Sequence, residues 1–287
     1  MASSRDIRRR IRSITSTAQI TRAMQMVAAS KMRKAQQAAI DVRPFVRLLY
    51  RIQRVATTHA PDFTHPLLEV RPVRTRAIVL VGSDRGLCGA LNSNLFRLAG
   101  RTDPHTTVFI AAGRKAAQFV ARTRRQLVAE FPYGDTPRFE ESRAIAALAR
   151  DLFLKGDVDA VDIIASRFVN TLVQQPVTLN FLPVCDITTL ELPDAASAKA
   201  AAVPTQFLFE PNAHDIVEFL LGHYLNVFVH LVLLNAKASE QSARMVSMKG
   251  ATDNATQMIR DLTLTANKLR QGHITEELLE IAGGQAD

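Results

Sequence analysis

The residues best suited to chemistry lie at 82–94, where Gly82, Ser83, Asp84, Arg85, Gly86, Leu87, Cys88 and Gly89 lead into Ala90, Leu91, Asn92, Ser93 and Asn94. Glycines at a strand-to-helix turn let the backbone approach a ligand closely, and the helix start behind them attracts anions. The spacing of Gly82, Gly86 and Gly89 is wrong for a dinucleotide fingerprint, and the chain contains no Gly-Lys pair to cradle phosphates. Ser83 stands one place too early for a nucleophile elbow. His223 and His230, seven apart on a helical stretch, are two turns from each other and beyond the reach of one metal; they read as core or solvent residues. Cys88 and Cys185 are far apart with no CxxC pair, which points to a reducing compartment and no structural zinc. No catalytic residue, metal site or cofactor site emerges.

The elements that must position this turn alternate in type. Residues 77–81, a continuous apolar run, read as a buried parallel strand, and residues 107–112 as a second. Helices are expected at 91–99, 114–123 and 138–155, with strands at 126–130 and 160–168. Residues 177–184 read as an added strand for which an antiparallel direction is open. The alternation argues for an open α/β layer. Residues 195–202, alanine-rich between Pro193 and Pro204, read as a mobile surface connection.

On either side the period changes. Stepping four and three alternately from Leu220 meets Tyr224, Val227, Leu231, Leu234, Ala238, Gln241, Met245, Met248, Thr252, Ala255, Ile259, Leu262, Ala266 and Leu269, a seam broken only by Gln241 and Thr252. A 3.5-residue apolar repeat of this length makes a narrow stripe that needs another helix against it. A helix from 213 to 282 would be roughly 100 Å long. Near the start of the chain Ile7, Ile11, Ile14, Ala18 and Thr21 follow the same stagger. Ile20, Met24, Val27, Met32 and Ala35 then continue it on an adjacent stripe, Ser3 or Ser4 serves as N-cap, and Pro44 kinks the helix rather than ending it. Two seamed helices flanking one body are best satisfied by pairing as an antiparallel coiled coil. The chain thus divides into an N-terminal helix at 1–58, a central α/β domain at 74–211 and a C-terminal helix at 212–287.

Charge is concentrated at the start. Residues 1–54 carry eleven Arg and two Lys against Asp6 and Asp41, so the remaining chain is slightly acidic although the whole stands at +9. Such a segment seeks an acidic partner: nucleic acid, lipid headgroups or an acidic protein surface. Its arginines spread around the helix and few aromatics accompany them, which disfavours nucleic acid. An Arg-rich, acid-poor start also has the composition of a transit peptide, but the helical pattern begins at once without a cleavage-like break. The densest apolar run, 219–234, is interrupted by Gly222, His223, Asn226 and His230, so no bilayer span is expected.

Several motifs, in order along the chain, resemble the gamma subunit of the rotary F-type ATP synthases. They include Ile11, Arg12, Ser13 and Ile14; the run from Gln19, Ile20, Thr21 and Arg22 through Met24, Val27 and Lys31 to Gln36; and Ser83, Asp84, Arg85, Gly86, Leu87, Cys88 and Gly89. Ala238, Ser239, Glu240, Arg244 and Met245 follow, then Ala251, Thr252, Asp253, Asn254 and Ala255, and finally Asn267, Arg270, Gln271, Ile274, Thr275, Glu276, Glu277, Leu278, Glu280 and Ile281. The resemblance implies an antiparallel coiled-coil shaft, a Rossmann-like open α/β foot, and a non-catalytic rotor that couples ion flow to ATP synthesis or hydrolysis on other subunits. It implies as partners an alternating alpha and beta hexamer, an epsilon subunit and a membrane c-ring, with one copy per complex, no nucleic acid and no cofactor. It also implies a peripheral position on the cytoplasmic face of a bacterial plasma (inner) membrane.

Carried over residue by residue, Arg22, Met24, Val27 and Lys31 resemble the positions that meet the beta subunit. Arg270, Gln271 and Thr275 resemble a hydrogen-bonding catch, with Leu278, Leu279 and Ile281 in the apolar bearing. Arg85, Cys88 and Asn92 match the foot motif, which is expected to face a neighbouring subunit. Two departures weaken the carry-over locally: Ala90 replaces a frequent second glycine, and Gly272 with His273 replaces a small-then-polar pair. The insert that carries regulatory thiols in plant and cyanobacterial members is not evident.

Overall fold

In a computed structural model the chain is described at residues 4–59, 65–184 and 213–283. In chain order these are α1 (Ser4–His59), a short 3-10 turn (Pro66–Leu68), β1 (Arg76–Val81), α2 (Leu91–Ala99), β2 (Thr107–Ala112) and α3 (Arg114–Arg122). There follow β3 (Gln126–Phe131), α4 (Phe139–Lys155), β4 (Ala160–Phe168), β5 (Gln174–Leu182) and α5 (Ala213–Gly283). Two compact units result, one formed by α1 up to Ala29 with α5 from Arg244, the other by Ser30–Ala243.

The larger unit holds a five-stranded sheet in the order β3-β2-β1-β4-β5. Four strands are parallel and β5 is antiparallel to β4, which settles the direction of the added strand. Alternation along β1 divides the core. Ala77, Val79 and Val81 pack with α4 and the first half of α5, through Ile145, Ala149, Phe153, Leu225, Phe228 and Val232. Ile78 and Leu80 face α2 and α3, through Leu95, Phe119 and Val120. Burial on both faces explains why β1 and β2 read as unbroken apolar runs, each large side chain contributing about 1.5–3 kcal/mol. Edge strand β3 lacks this cover, and Leu127 and Val128 remain partly exposed.

α1 runs through Pro44 without a break. The N-cap expected at Ser3 and the connection at 195–202 fall outside the described residues, as does Cys185. In α1 the seam continues from Thr21 to Ala28, Met32, Ala35 and Ala39, all buried, while Ile20 and Val27 are 58% and 53% exposed. Ile20 and Val27 therefore face outward, because the first stagger runs on unshifted through Ala28, Met32, Ala35 and Ala39; of the adjacent stripe only Met32 and Ala35, which also lie on that stagger, are buried.

α1 and α5 are antiparallel. Within the larger unit Lys31 and Gln241 bond the same carboxylate, and farther along Phe45 lies edge-on to His223, so α1 numbers rise as α5 numbers fall. Within the smaller unit Thr21 Oγ1 and Thr252 Oγ1 lie 2.7 Å apart, a polar rung across the seam. α5 is long and apolar enough, by length and composition alone, to cross a membrane, but 67% of its most apolar window is buried inside the protein, as befits a core helix.

Candidate functional site

The C-terminal ends of β1, β2, β3 and β4 share one edge of the sheet, where open α/β folds place their ligands. Here about a turn and a half of α5 covers that edge with buried polar side chains: Lys237, Ser239, Glu240, Gln241 and Ser242. Ser239 Oγ donates to the carbonyl of Ser166 at 3.2 Å, and Ser242 Oγ to that of Thr171 at 2.7 Å. The crevice that would admit a nucleotide is thus filled by the chain itself.

Lys237 is the hub. Its Nζ lies 3.0 Å from Glu240 Oε2, 3.8 Å from Asp84 Oδ2 and 4.5 Å from the centroid of the Tyr133 ring. The Lys237 and Glu240 side chains are 2% and 4% exposed, so each charge depends on the other for solvation. Tyr133 donates its hydroxyl to the carbonyl of Gly82 at 2.8 Å. Burial, with help from the Glu240 and Asp84 charges, pushes its phenol well above the ordinary range. Gly113, at φ +93, must be glycine: a Cβ there would collide with the Gly82 carbonyl that Tyr133 bonds.

Asp135, on the same 132–138 loop as Tyr133, accepts from Lys31 Nζ at 2.6 Å and from Gln241 Nε2 at 3.3 Å. Partial burial would raise its carboxyl, but the Lys31 hydrogen bond and the charges of Lys31, Lys237 and Arg85 outweigh it and hold the carboxyl below its usual value. Beside this cluster Ser142 Oγ and His230 Nδ1 lie 2.9 Å apart under the Phe139 ring, and desolvation, partly opposed by Glu141, lowers the imidazole.

Of the foot-motif residues, Cys88 and Asn92 are spent on building the turn after β1. Asn92 Nδ2 donates to Ser83 Oγ at 2.7 Å and to Cys88 Sγ at 3.4 Å, and Ser83 N–H donates to Asn92 Oδ1 at 3.2 Å. Arg85 and Leu87 point outward. On α1, Arg22 and Val27 are exposed and Met24 is half-buried, whereas Lys31 is engaged by Asp135. Near the end of α5, Arg270, Gln271, Thr275, Leu278 and Leu279 are exposed, the Thr275 hydroxyl donating to its own helix at Gln271 O, 2.9 Å away. The side chain of Ile281 lies outside the described residues. Of the predicted groups the structure brings Cys88 and Asn92 into contact, and the three groups lie on different stretches of the chain.

The polar cluster around Lys237 and Asp135 was not found from the sequence. One signal existed: Lys237 closes a run without Asp, Glu, Lys or Arg that begins after Glu218, an isolated charge where burial is heaviest. Among the described residues no three His, Cys, Asp or Glu side chains gather to hold a metal.

A family model described as ATP synthase matches residues 3–286. The chain is 46% identical to the ATP synthase gamma chain of Opitutus terrae, covering 99% of this chain and 98% of that one. It is 41% identical to the protein of the same name from Methylacidiphilum infernorum, covering 99% of each. In fold it is similar to chains in two structures of the Euglena gracilis mitochondrial ATP synthase. One is in the rotor in rotational state 1, with TM-score 0.65, 20% identity and 94% and 98% of the two chains covered. The other is in the OSCP/F1/c-ring assembly in rotational state 3, with TM-score 0.66, 18% identity and 98% and 93% covered.

Proposed function

The chain belongs to the ATP synthase gamma chain family, and on that premise we propose that its paired end helices turn as the central stalk of an F-type ATP synthase. It is a non-catalytic subunit; bond chemistry takes place elsewhere in the complex. The observation that carries the reading is the full-length match to gamma chains together with the antiparallel pairing of α1 and α5. A rod with unlike faces offers a different surface to each of several identical partners, and so biases their affinities unequally as it turns.

The functional division is a shaft of 1–58 and 212–287 and a foot of 74–211. Alpha and beta subunits surround the shaft, and an epsilon subunit and a c-ring meet the foot. Arg22, Met24 and Val27 face the beta subunit, a surface whose cation is Arg22, set against carboxylates, while Lys31, which resemblance would place on the same surface, is bonded to Asp135 within the chain. Arg270, Gln271 and Thr275 form the catch, Leu278, Leu279 and Ile281 the bearing, and Arg85 with Leu87 the outward part of the foot motif. The chain sits peripherally on the cytoplasmic face of a bacterial inner membrane and takes part in ion transport by turning with the ring.

Co-expression with the alpha and beta subunits of its own organism, followed by mass identification of the purified complex, tests this reading. One copy of the chain per hexamer is expected. A complex that forms and hydrolyses ATP identically without the chain would contradict it.

A further inference from the structure

We infer that Asp135 is the keystone of an internal clasp that holds Lys31 of α1 and Gln241 of α5 to one carboxylate, fixing the register of the two helices against the sheet. The inference rests on the rotor reading for its consequence, but the contact itself does not. Three observations carry it. Lys31 Nζ and Gln241 Nε2 reach the two different oxygens of Asp135, at 2.6 Å on Oδ2 and 3.3 Å on Oδ1, so neither displaces the other. The loop bearing Asp135 is itself anchored: Tyr133, two residues earlier, is 4% exposed, bonds the Gly82 carbonyl at the end of β1, and lies beneath the Lys237 ammonium. Gln241 is 2% exposed and stands where the apolar seam of α5 breaks, which makes its amide available for a polar partner.

A carboxylate bonded from two helices resists sliding of one along the other, because a slip of one residue, about 1.5 Å, lengthens one bond past its useful range. A shaft that transmits torque needs that resistance in the body, where an apolar seam alone is smooth and tolerates slippage. Lys31 is thus a positioning residue: its first partner is inside the chain, and the cation it would offer another subunit is already bonded.

Two measurements on the full chain separate the contact from its use. In the isolated chain, a double-mutant cycle of Lys31→Gln and Asp135→Asn by denaturant unfolding should give a coupling equivalent to roughly a three-fold or larger change in the unfolding constant, as for a partly exposed charged hydrogen bond. Additive effects would overturn the clasp whatever the complex does. In the assembled complex, Asp135→Asn should lower the ratio of ATP synthesis to ATP hydrolysis, and the exchanged pair, Lys31→Asp with Asp135→Lys, should recover it over either single exchange. If Lys31→Gln lowers the ratio while Asp135→Asn leaves it unchanged and the exchange rescues nothing, Lys31 acts on another subunit and the clasp has no role in coupling. Failure of the unaltered chain to join the complex would instead sink the rotor reading and leave the unfolding cycle to decide the contact.

Discussion

The two halves of α5 share one apolar repeat and live in different surroundings. From Leu221 to Ser242 nearly every position is buried or half-buried, whichever way it points, because the helix lies against the sheet, α4 and the 132–138 loop. From Arg244 onward the cover narrows to the seam: Arg244, Met248 and Ala255 are buried, Ile259, Leu262, Ala266 and Leu269 half-buried, and beyond Ala255 the residues between them are exposed. The same four-three spacing thus marks a core helix in one half and a two-helix contact in the other. What distinguishes them is the intervening residues, uncharged up to Ala236 in the first half and largely polar in the second. Narrow burial leaves a surface for partners; burial all round fixes the helix in the body.

The largest effect expected from breaking this contrast is in the body. Lys237→Ala leaves Glu240 buried without its cation and should cost about 3–5 kcal/mol of body stability by denaturant unfolding. Lys268→Ala, an exposed charge of the second half, should stay within about 0.5 kcal/mol. Next in size is the rung. Thr21→Val or Thr252→Val alone removes the bond across the seam while the remaining hydroxyl still donates to its own helix, at Ala18 O or Met248 O, and should cost about 0.5–1.5 kcal/mol, while the double replacement should recover much of that. If both single changes are silent, the seam is open to water at that level.

Smallest, and of opposite sign, is the effect of Gly250→Ala. An added Cβ at Gly250 meets no atom within 4 Å, so the change should stabilise the helix by about 0.5–1 kcal/mol in thermal unfolding of the isolated chain. Loss of assembly by that variant would mark the exposed flank as a close partner contact.

pH should separate the regions in the same way, since among the described residues the perturbed groups Tyr133, Asp135, Asp159 and His230 all lie in the body. Tyr133, held neutral, contributes stability that is present below the ordinary phenol value of 10.0 and lost as pH rises through its higher folded value. Asp135 contributes above the ordinary 3.8 and loses that contribution as pH falls through its lower folded value. His230, favoured neutral, contributes above 6.5 and less as pH falls below it. In an alkaline titration followed by phenolate absorbance, Tyr133 should ionise only as the body unfolds, and Tyr133→Phe should remove that late step.

Much of the architecture was legible in the residues. Unbroken apolar runs gave β1 and β2, the 3.5 repeat gave α5 within a residue of its observed span, and the turn glycines gave the start of α2. Periodicity failed where polar groups are satisfied by distant partners. Gln241 and Thr252 looked like defects in the seam, and each bonds a residue more than a hundred positions away. The direction of β5 depended on a hairpin whose tip, 169–173, carries no strong turn signal. Ile20 and Val27 fit an inward stripe by spacing yet face outward, because a stepping pattern cannot tell which of two adjacent stripes the partner covers. The assignments of Met24, Arg270 and their companions came from resemblance alone, and the exposed positions of most of them suit a contact with other chains.

The most direct test joins the two end helices covalently. In a background carrying Cys88→Ala and Cys185→Ser, Thr21→Cys with Thr252→Cys should oxidise to a disulfide within the chain, since the native hydroxyls are 2.7 Å apart. Because both helices turn as one body, the cross-linked complex should synthesise and hydrolyse ATP in the same ratio as the reduced one. Absence of the cross-link, or a cross-link that stops turnover, would contradict the paired rotating shaft.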